Sequence, residues 1–206
     1  MLQTFSLPTG WPDLRNVPAL TDSLRREVIA VRTAVYDANH LSNVSPDDEF
    51  DDAPNTVSFL LRERGHSVGT VRVSVRQLND PVDSTPCSRV FGAELAKSFR
   101  LASFVEMSRL AILPRGPGDS TKRYLAAMQN GIAAADGHDC RYVLAPTRTG
   151  HSRIYFGMGF FEVAPARAYL HTTCCLLALD LPRHRHSLQA HARFGALFAN
   201  RNCPAA

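Results

Sequence analysis

The sequence predicts a single α/β domain, a mixed central sheet flanked by helices. Three observations predict it. Helical and alternating apolar periods interleave in the order helix, hairpin, strand, helix, strand, helix, strand, which is not the pattern of a doubly wound sheet. A chain of 206 residues is long enough to bury one substantial core. No repeat, low-complexity run or second-domain boundary interrupts it, so residues 1–206 are expected to form one domain.

Residues 1–20 carry Pro8, Pro12 and Pro18 and are expected to form an irregular arm. Thr21, Asp22 and Ser23 offer helix caps, and Leu24, Val28, Val31 and Val35 follow at helical spacing, predicting a helix over about 22–38. Residues 40–55 hold Pro46, Pro54 and the acids Asp47, Asp48, Glu49, Asp51 and Asp52, a composition that opposes regular structure. Residues 56–64 and 67–77 form a predicted hairpin about Gly65-His66, its second strand alternating Val71, Val73 and Val75 with Arg72, Ser74 and Arg76. A loop over 79–88 and a short helix near 89–99 lead to a strand over 104–113. Asp119 or Ser120 would cap a helix with Leu125, Met128, Ile132 and Ala135 on its apolar face, closed by Gly137 in a left-handed cap. A strand at 140–145, a helix from Thr149 to Met158 and closing strands at 160–163 and 168–181 complete the order. The tail, residues 183–206, opens with Arg183-His184-Arg185-His186 and holds a short helix near 187–199.

Composition narrows the function classes. The net charge of +4 favours an acidic partner without naming one, and no basic block interleaved with aromatics points to nucleic acid. No apolar run is long enough to span a bilayer, and Met1 to Trp11 lacks the pattern of a secretory signal. Five cysteines, with Cys174-Cys175 adjacent in an apolar run, suggest neither a disulfide framework nor a zinc site, so the expected setting is the reducing cytoplasm.

Phe104 to Ser120 is the segment richest in chemistry. A mostly apolar strand carries Glu106, Ser108 and Arg109, then enters the turn Arg115-Gly116-Pro117-Gly118-Asp119-Ser120 at a helix start. Acid and base in a buried strand must pair or do chemistry. A helix N-terminus offers free N–H groups and the positive end of a dipole to a phosphate. Pro117 removes one donor and Asp119 repels, so the turn suits a single phosphate better than a pyrophosphate. Strict alternation puts Glu106 and Arg109 on opposite faces, and only a bulge would bring them to one site.

This order of elements, with a glycine-bearing turn between the central strand and a capped helix, resembles the GNAT acyltransferase fold. Tyr155-Phe156-Gly157-Met158-Gly159-Phe160 resembles the aromatic piece near the end of that fold. Four motifs, Arg32-x-x-Val35-Tyr36, Asp48-Glu49-Phe50-Asp51, Gly69-Thr70-Val71-Arg72 and Glu106-Met107-Ser108-Arg109-Leu110, resemble those of autoinducer synthases in order and approximate separation. Two departures concern the acceptor segment. Pro46 stands where those enzymes hold a glutamate, and Leu41-Ser42-Asn43 where they hold a tryptophan. The chain therefore looks more like the related N-acyl amino acid synthases.

The resemblance implies a GNAT-like sheet with strands splayed at the acyl site. It implies transfer of a fatty acyl group from a thioester, on acyl carrier protein or coenzyme A, to an amino acid amine. The alternatives are an acyl-homoserine lactone synthase using S-adenosylmethionine and a non-catalytic acyl-thioester-binding module. No metal or tightly bound cofactor is implied. The expected catalytic residues are Glu106 as base, Arg72, and Tyr155 as proton donor to the thiolate. Arg32, Tyr36, Asp48, Asp51, Ser108 and Arg109 would line the acceptor side, and Leu110, Ile112, Arg115, Gly116, Gly118 and Ser120 the acyl-pantetheine side. The bland alternatives are ion pairing of Glu106 with Arg72 or Arg32, a salt bridge for Arg109, a solvated acidic loop, and core packing for Tyr155. The acyl chain would lie among Phe104, Leu110, Ile112 and Val143, and Arg115, Lys122, Arg123, Arg141, Arg148 and Arg153 would form a basic rim for the carrier.

Overall fold

Strand β4, Phe104–Ile112, is the hinge of the architecture, because the sheet changes character across it. The computed structural model of the chain describes residues 13–41, 43–114, 119–169 and 172–187. Seven strands make one sheet in the order β1-β2-β3-β4-β5-β7-β6, with β1 Leu14–Pro18, β2 Thr56–Glu63, β3 His66–Arg76, β5 Tyr142–Arg148, β6 Phe161–Tyr169 and β7 Thr172–Asp180. All neighbours are antiparallel except β4 and β5, which are parallel and paired only over Phe104–Glu106 against Tyr142–Leu144.

Helix α1, Asp22–Ala38, forms where its period and cap predict, with Thr21 Oγ1 accepting from the Leu24 N–H at 3.3 Å. It lays Val28 and Val31 against Leu60. Helix α2, Ser88–Ser98, puts Phe91 and Leu95 against Phe104, Leu144 and Leu176. On the opposite face α3, Asp119–Gly137, packs Met128, Ile132 and Ala135 against Val71, Val73, Met107 and Val143. Each such fully buried apolar side chain contributes about 1.5–3 kcal/mol. The approach is close: a Cβ at Gly131 would lie 2.2 Å from Met107 Sδ, so any side chain there would force Met107 to move.

Several expectations change. The arm is not irregular throughout, since Leu14–Pro18 is an edge strand on β2, tied to α3 by Asn16 Nδ2 donating to Ala126 O at 2.9 Å. The 149–158 helix divides into a 3-10 turn, Thr149–His151, and a short α4, Ser152–Gly157. Gly137 ends α3 without a left-handed cap, and Asp139, with φ +51°, makes that turn two residues later. The strands expected at 140–145, 160–163 and 168–181 are β5, β6 and β7, the last two forming a longer hairpin. The tail begins as helix α5, Leu181–Ser187; the helix expected near 187–199 otherwise lies outside the described residues.

Both faces of β3 are buried. Val71, Val73 and Val75 meet α3, and Arg72, Ser74 and Arg76 are equally enclosed on the α1/α2 side. Two buried guanidinium groups on one strand require built-in partners, and those partners organise the site.

Candidate active site

A bulge resolves the alternation problem in β4. Thr70 pairs with Ala111 and Arg72 with Ser108, so Arg109 and Leu110 together oppose Val71. Arg109 takes the left-handed conformation this needs, φ +52°, unusual for a non-glycine residue. Its side chain thereby turns to the same side as Ser108. Arg109 Nη2 donates to Asp48 Oδ2 at 2.7 Å, Nη1 donates to the Ser45 carbonyl and, at 3.3 Å, to Tyr36 Oη.

Around this turn the acidic loop is bound, not solvated. Arg72 Nε donates to Ser108 Oγ at 3.1 Å, and its Nη1 donates to Asp48 Oδ1 and, at 3.1 Å, to Asp51 Oδ2. Arg32, wholly buried, donates through Nη1 to Asp51 Oδ1 and the Pro46 carbonyl, both at 2.9 Å, and through Nη2 to Ser58 Oγ at 2.8 Å. Three arginines and two aspartates close a knot that pins the loop over the sheet. Burial raises the Asp48 pKa, but Arg109 and Arg72 outweigh it and hold the carboxyl at about 2.

Glu106 stands apart from that knot. It pairs with neither Arg72 nor Arg32. Its Oε2 accepts from the Cys87 backbone N–H at 2.8 Å, at the start of α2, and its Oε1 has no hydrogen-bond partner among the described residues. The side chain is wholly buried and lines the cavity described below. Burial pushes its pKa above the ordinary glutamate range, against the opposing pull of Cys87, Arg72 and Thr85.

Beyond Glu106, β4 and β5 part, and a cavity of about 450 Å³ fills the opening. It crosses the sheet. Tyr36, Glu106 and Ser108 line it on the α1/α2 side, Tyr124 and Tyr155 on the α3/α4 side. Of the predicted residues, Arg72, Arg109, Leu110, Ile112 and Ser120 also line it, whereas Arg32, Asp48 and Asp51 do not. The last three lie behind the wall, Asp51 paired with Arg32 and Arg72 and Asp48 with Arg72 and Arg109. Phe104 and Val143 do not line it either, because β4 and β5 are still paired at their level and both side chains are core. Arg115, Gly116 and Gly118 lie outside the described residues. Tyr155 is buried edge-on to Phe160, centroids 5.3 Å apart, and also lines the cavity, and burial pushes its phenol pKa up.

The expected basic rim is thinner than its sequence. Arg123 is buried and pairs with Glu63, and Arg141 pairs with Asp180 at the opposite end of β5 from the opening. Lys122 and Arg153 are exposed, and Arg148 lines the cavity.

Sequence reasoning passed over Cys87, whose backbone N–H fixes Glu106, and the cavity residues Tyr124, His151 and Tyr169. A backbone donor leaves no trace in residue type. Tyr124 and His151 did leave one: each lies within a few residues of a predicted helix start beside the strand opening.

The comparisons agree with this geometry. No curated protein matches the chain. Among solved structures, FeeM, an N-acyl amino acid synthase from uncultured soil microbes, superposes with a TM-score of 0.68 at 14% identity, covering 85% of this chain and 96% of that one. The acyl-homoserine lactone synthase LasI superposes at 0.60 with 15% identity, over 90% and 95%. BjaI, a CoA-dependent acyl-homoserine lactone synthase solved with SAM and isopentyl-CoA, gives 0.58 with 17% identity, over 84% and 85%. At such identities these likenesses establish the fold, that of the GNAT-like acyltransferases. The family model described as N-acyl amino acid synthase FeeM matches residues 27–181, from the first turns of α1 to the end of the sheet. The chain is an acyltransferase and belongs to the FeeM family of N-acyl amino acid synthases.

Proposed function

We propose that this enzyme transfers a fatty acyl group from the pantetheine thioester of an acyl carrier protein to the amine of an amino acid, with Glu106 as general base. One observation carries the reading: a buried carboxylate with one oxygen anchored and the other unpartnered among the described residues, on a side chain that lines a cavity between parted strands. The acceptor amine enters from the α1/α2 side and attacks the thioester carbonyl. The C–N bond forms and its proton passes to Glu106 Oε1. The tetrahedral intermediate collapses, the C–S bond breaks, and the departing thiolate takes a proton from the Tyr155 hydroxyl, which burial keeps protonated. Solvent then returns the proton to Tyr155 and removes the one on Glu106. Arg72 and Arg109 act on the reaction by holding Ser108 and the acidic loop in place.

Two features support a carrier protein as donor. Lys122 and Arg153 are exposed cations on α3 and α4, the helices that flank the opening. The sequence at 115–120 suits one phosphate better than two. Basic rims speed encounters with acidic carriers. Buried free thiols at Cys87, Cys140, Cys174 and Cys175 support a cytoplasmic setting. No described helix is long and apolar enough to cross a membrane.

The test is steady-state acylation with products read by mass spectrometry. Glu106→Gln should lower kcat by roughly 10²–10⁴-fold with donor KM little changed, and should abolish the acid limb of the pH profile, which in the wild type lies above the ordinary glutamate range. A variant within a few-fold of wild type would remove Glu106 from the chemistry. Lactone products formed only with S-adenosylmethionine would replace the amino acid as acceptor.

A further inference from the structure

Three of the buried cations at the site are ion-paired. Arg32, Arg72 and Arg109 are tied to Asp48 and Asp51. Arg148 is different. It is the last residue of β5, lines the cavity, and donates from Nε to Thr172 Oγ1 at 3.2 Å. Among the described residues its two terminal nitrogens have no hydrogen-bond partner, and no carboxylate pairs with it. His151, three residues on, lies edge-on to Tyr124 with centroids 6.0 Å apart. Burial and the Arg148 charge hold His151 below the usual imidazole range, so it stands neutral beside the guanidinium and adds no second charge. A half-buried guanidinium with an open fork is a receptor for an oxyanion.

Reach decides which oxyanion. Glu106 pairs in register with Leu144, and Arg148 stands four residues further along β5. That separates the two levels by roughly 13 Å along the strand. The contact with Thr172 directs the guanidinium further still from Glu106, because Leu144 pairs with Ala178 and Arg148 with Cys174 on the antiparallel β7. An α-amino acid carries its amine and carboxylate on the same carbon and cannot touch both levels. A phosphopantetheine arm has its thiol and its phosphate at opposite ends of a long chain, and is long enough to span that separation.

We infer that Arg148 binds the phosphate of the donor's phosphopantetheine arm at the mouth of the cavity. The assignment rests on the acyl-thioester reading above and adds a named contact to it. The same phosphate chemistry is presented by a carrier protein and by coenzyme A.

The test uses the full chain with 4′-phosphopantetheine and with dephosphorylated pantetheine as probes, in wild type and Arg148→Met, each checked for folding by circular dichroism. Wild type should bind the phosphorylated arm more tightly by roughly ten- to a hundredfold, and Arg148→Met should lose most of that preference. Arg148→Lys should keep part of it, since a point charge remains where the fork is gone. No preference in the wild type, or one that survives in Arg148→Met, overturns the assignment. This readout does not depend on turnover. Absence of any acylated amino acid with any donor would instead strike the acyl-transfer reading and leave the phosphate contact standing. In turnover, a rise in KM for acyl-carrier protein or acyl-CoA, relative to acyl-pantetheine, supports the contact and identifies the source of the phosphate. A rise confined to the KM of the amino acid overturns it and gives Arg148 to the acceptor carboxylate.

Discussion

Arg72 and Arg76 lie four residues apart on one face of β3, both almost wholly buried, and they are satisfied in opposite ways. Arg72 meets carboxylates and a hydroxyl. Arg76 lies over the Phe104 ring and, among the described residues, hydrogen-bonds only to backbone carbonyls, those of Pro81, Phe99, Ala102, Asp80 and Arg100, from the two segments that flank α2. The carbonyl cage fixes the fold beside the site and holds no carboxylate. The carboxylate knot fixes the loop over the site and answers to pH. Because α2 supplies the Cys87 N–H that anchors Glu106, the passive cage also supports the reactive group.

The largest expected effect tests the cage. Arg76→Met removes the guanidinium donor from five carbonyls, of which, among the described residues, only those of Pro81 and Phe99 keep a backbone N–H, from Ser84 and Ala102, and should lower the unfolding free energy by about 3 kcal/mol in urea denaturation. A loss near zero would mean that water replaces the guanidinium and that the cage is ornament. Next in size is the response of the knot to acid. The Asp48 carboxyl, held at about 2, contributes stability that is fully present above its unfolded pKa near 4 and is lost as pH falls from about 4 to about 2. The contribution is about 2 kcal/mol, and Asp48→Asn should flatten that part of the stability–pH curve while Arg76→Met leaves its slope intact. A slope unchanged in Asp48→Asn would erase the distinction between the two arginines. The smallest effect comes from an ion pair outside both networks. Arg25 and Asp52 are bonded at 2.9 Å but largely exposed, and Arg25→Ala should cost less than about 0.5 kcal/mol. A larger cost would show that proximity alone, without burial, gives the acidic loop its hold.

The same contrast explains what was legible in the sequence. Opposite charges spaced along the chain announced the knot: Arg32, Asp48, Asp51, Arg72 and Arg109 were all singled out, and the structure brings them together, with Arg72 and Arg109 on the cavity wall and the other three off it. Arg76 went unremarked, because its partners are carbonyls that every sequence possesses. The Cys87 contact was invisible for the same reason. Helix α1 was legible to the residue, since Thr21 and a regular apolar period mark it locally. Strand β1 was not: it is a five-residue edge strand among prolines, and its partner lies some forty residues away. The bulge at Arg109 was recognised as necessary if Glu106 and Arg109 were to serve one site, yet no residue type required it, glycine being the usual occupant of such a backbone conformation.

That bulge gives the protein an uneven tolerance for change. The two halves of β4 are out of phase by one residue, and the phase is what brings Arg109 to Asp48. Substitutions along the strand alter one side chain at a time, whereas loss of a single residue between Ser108 and Ala111 would restore strict alternation and swing Arg109 to the face of Val71 and Met107. In descent from a common ancestor, the length of this short stretch is therefore held more tightly than its composition, and relatives should differ there by replacement, not by insertion or deletion.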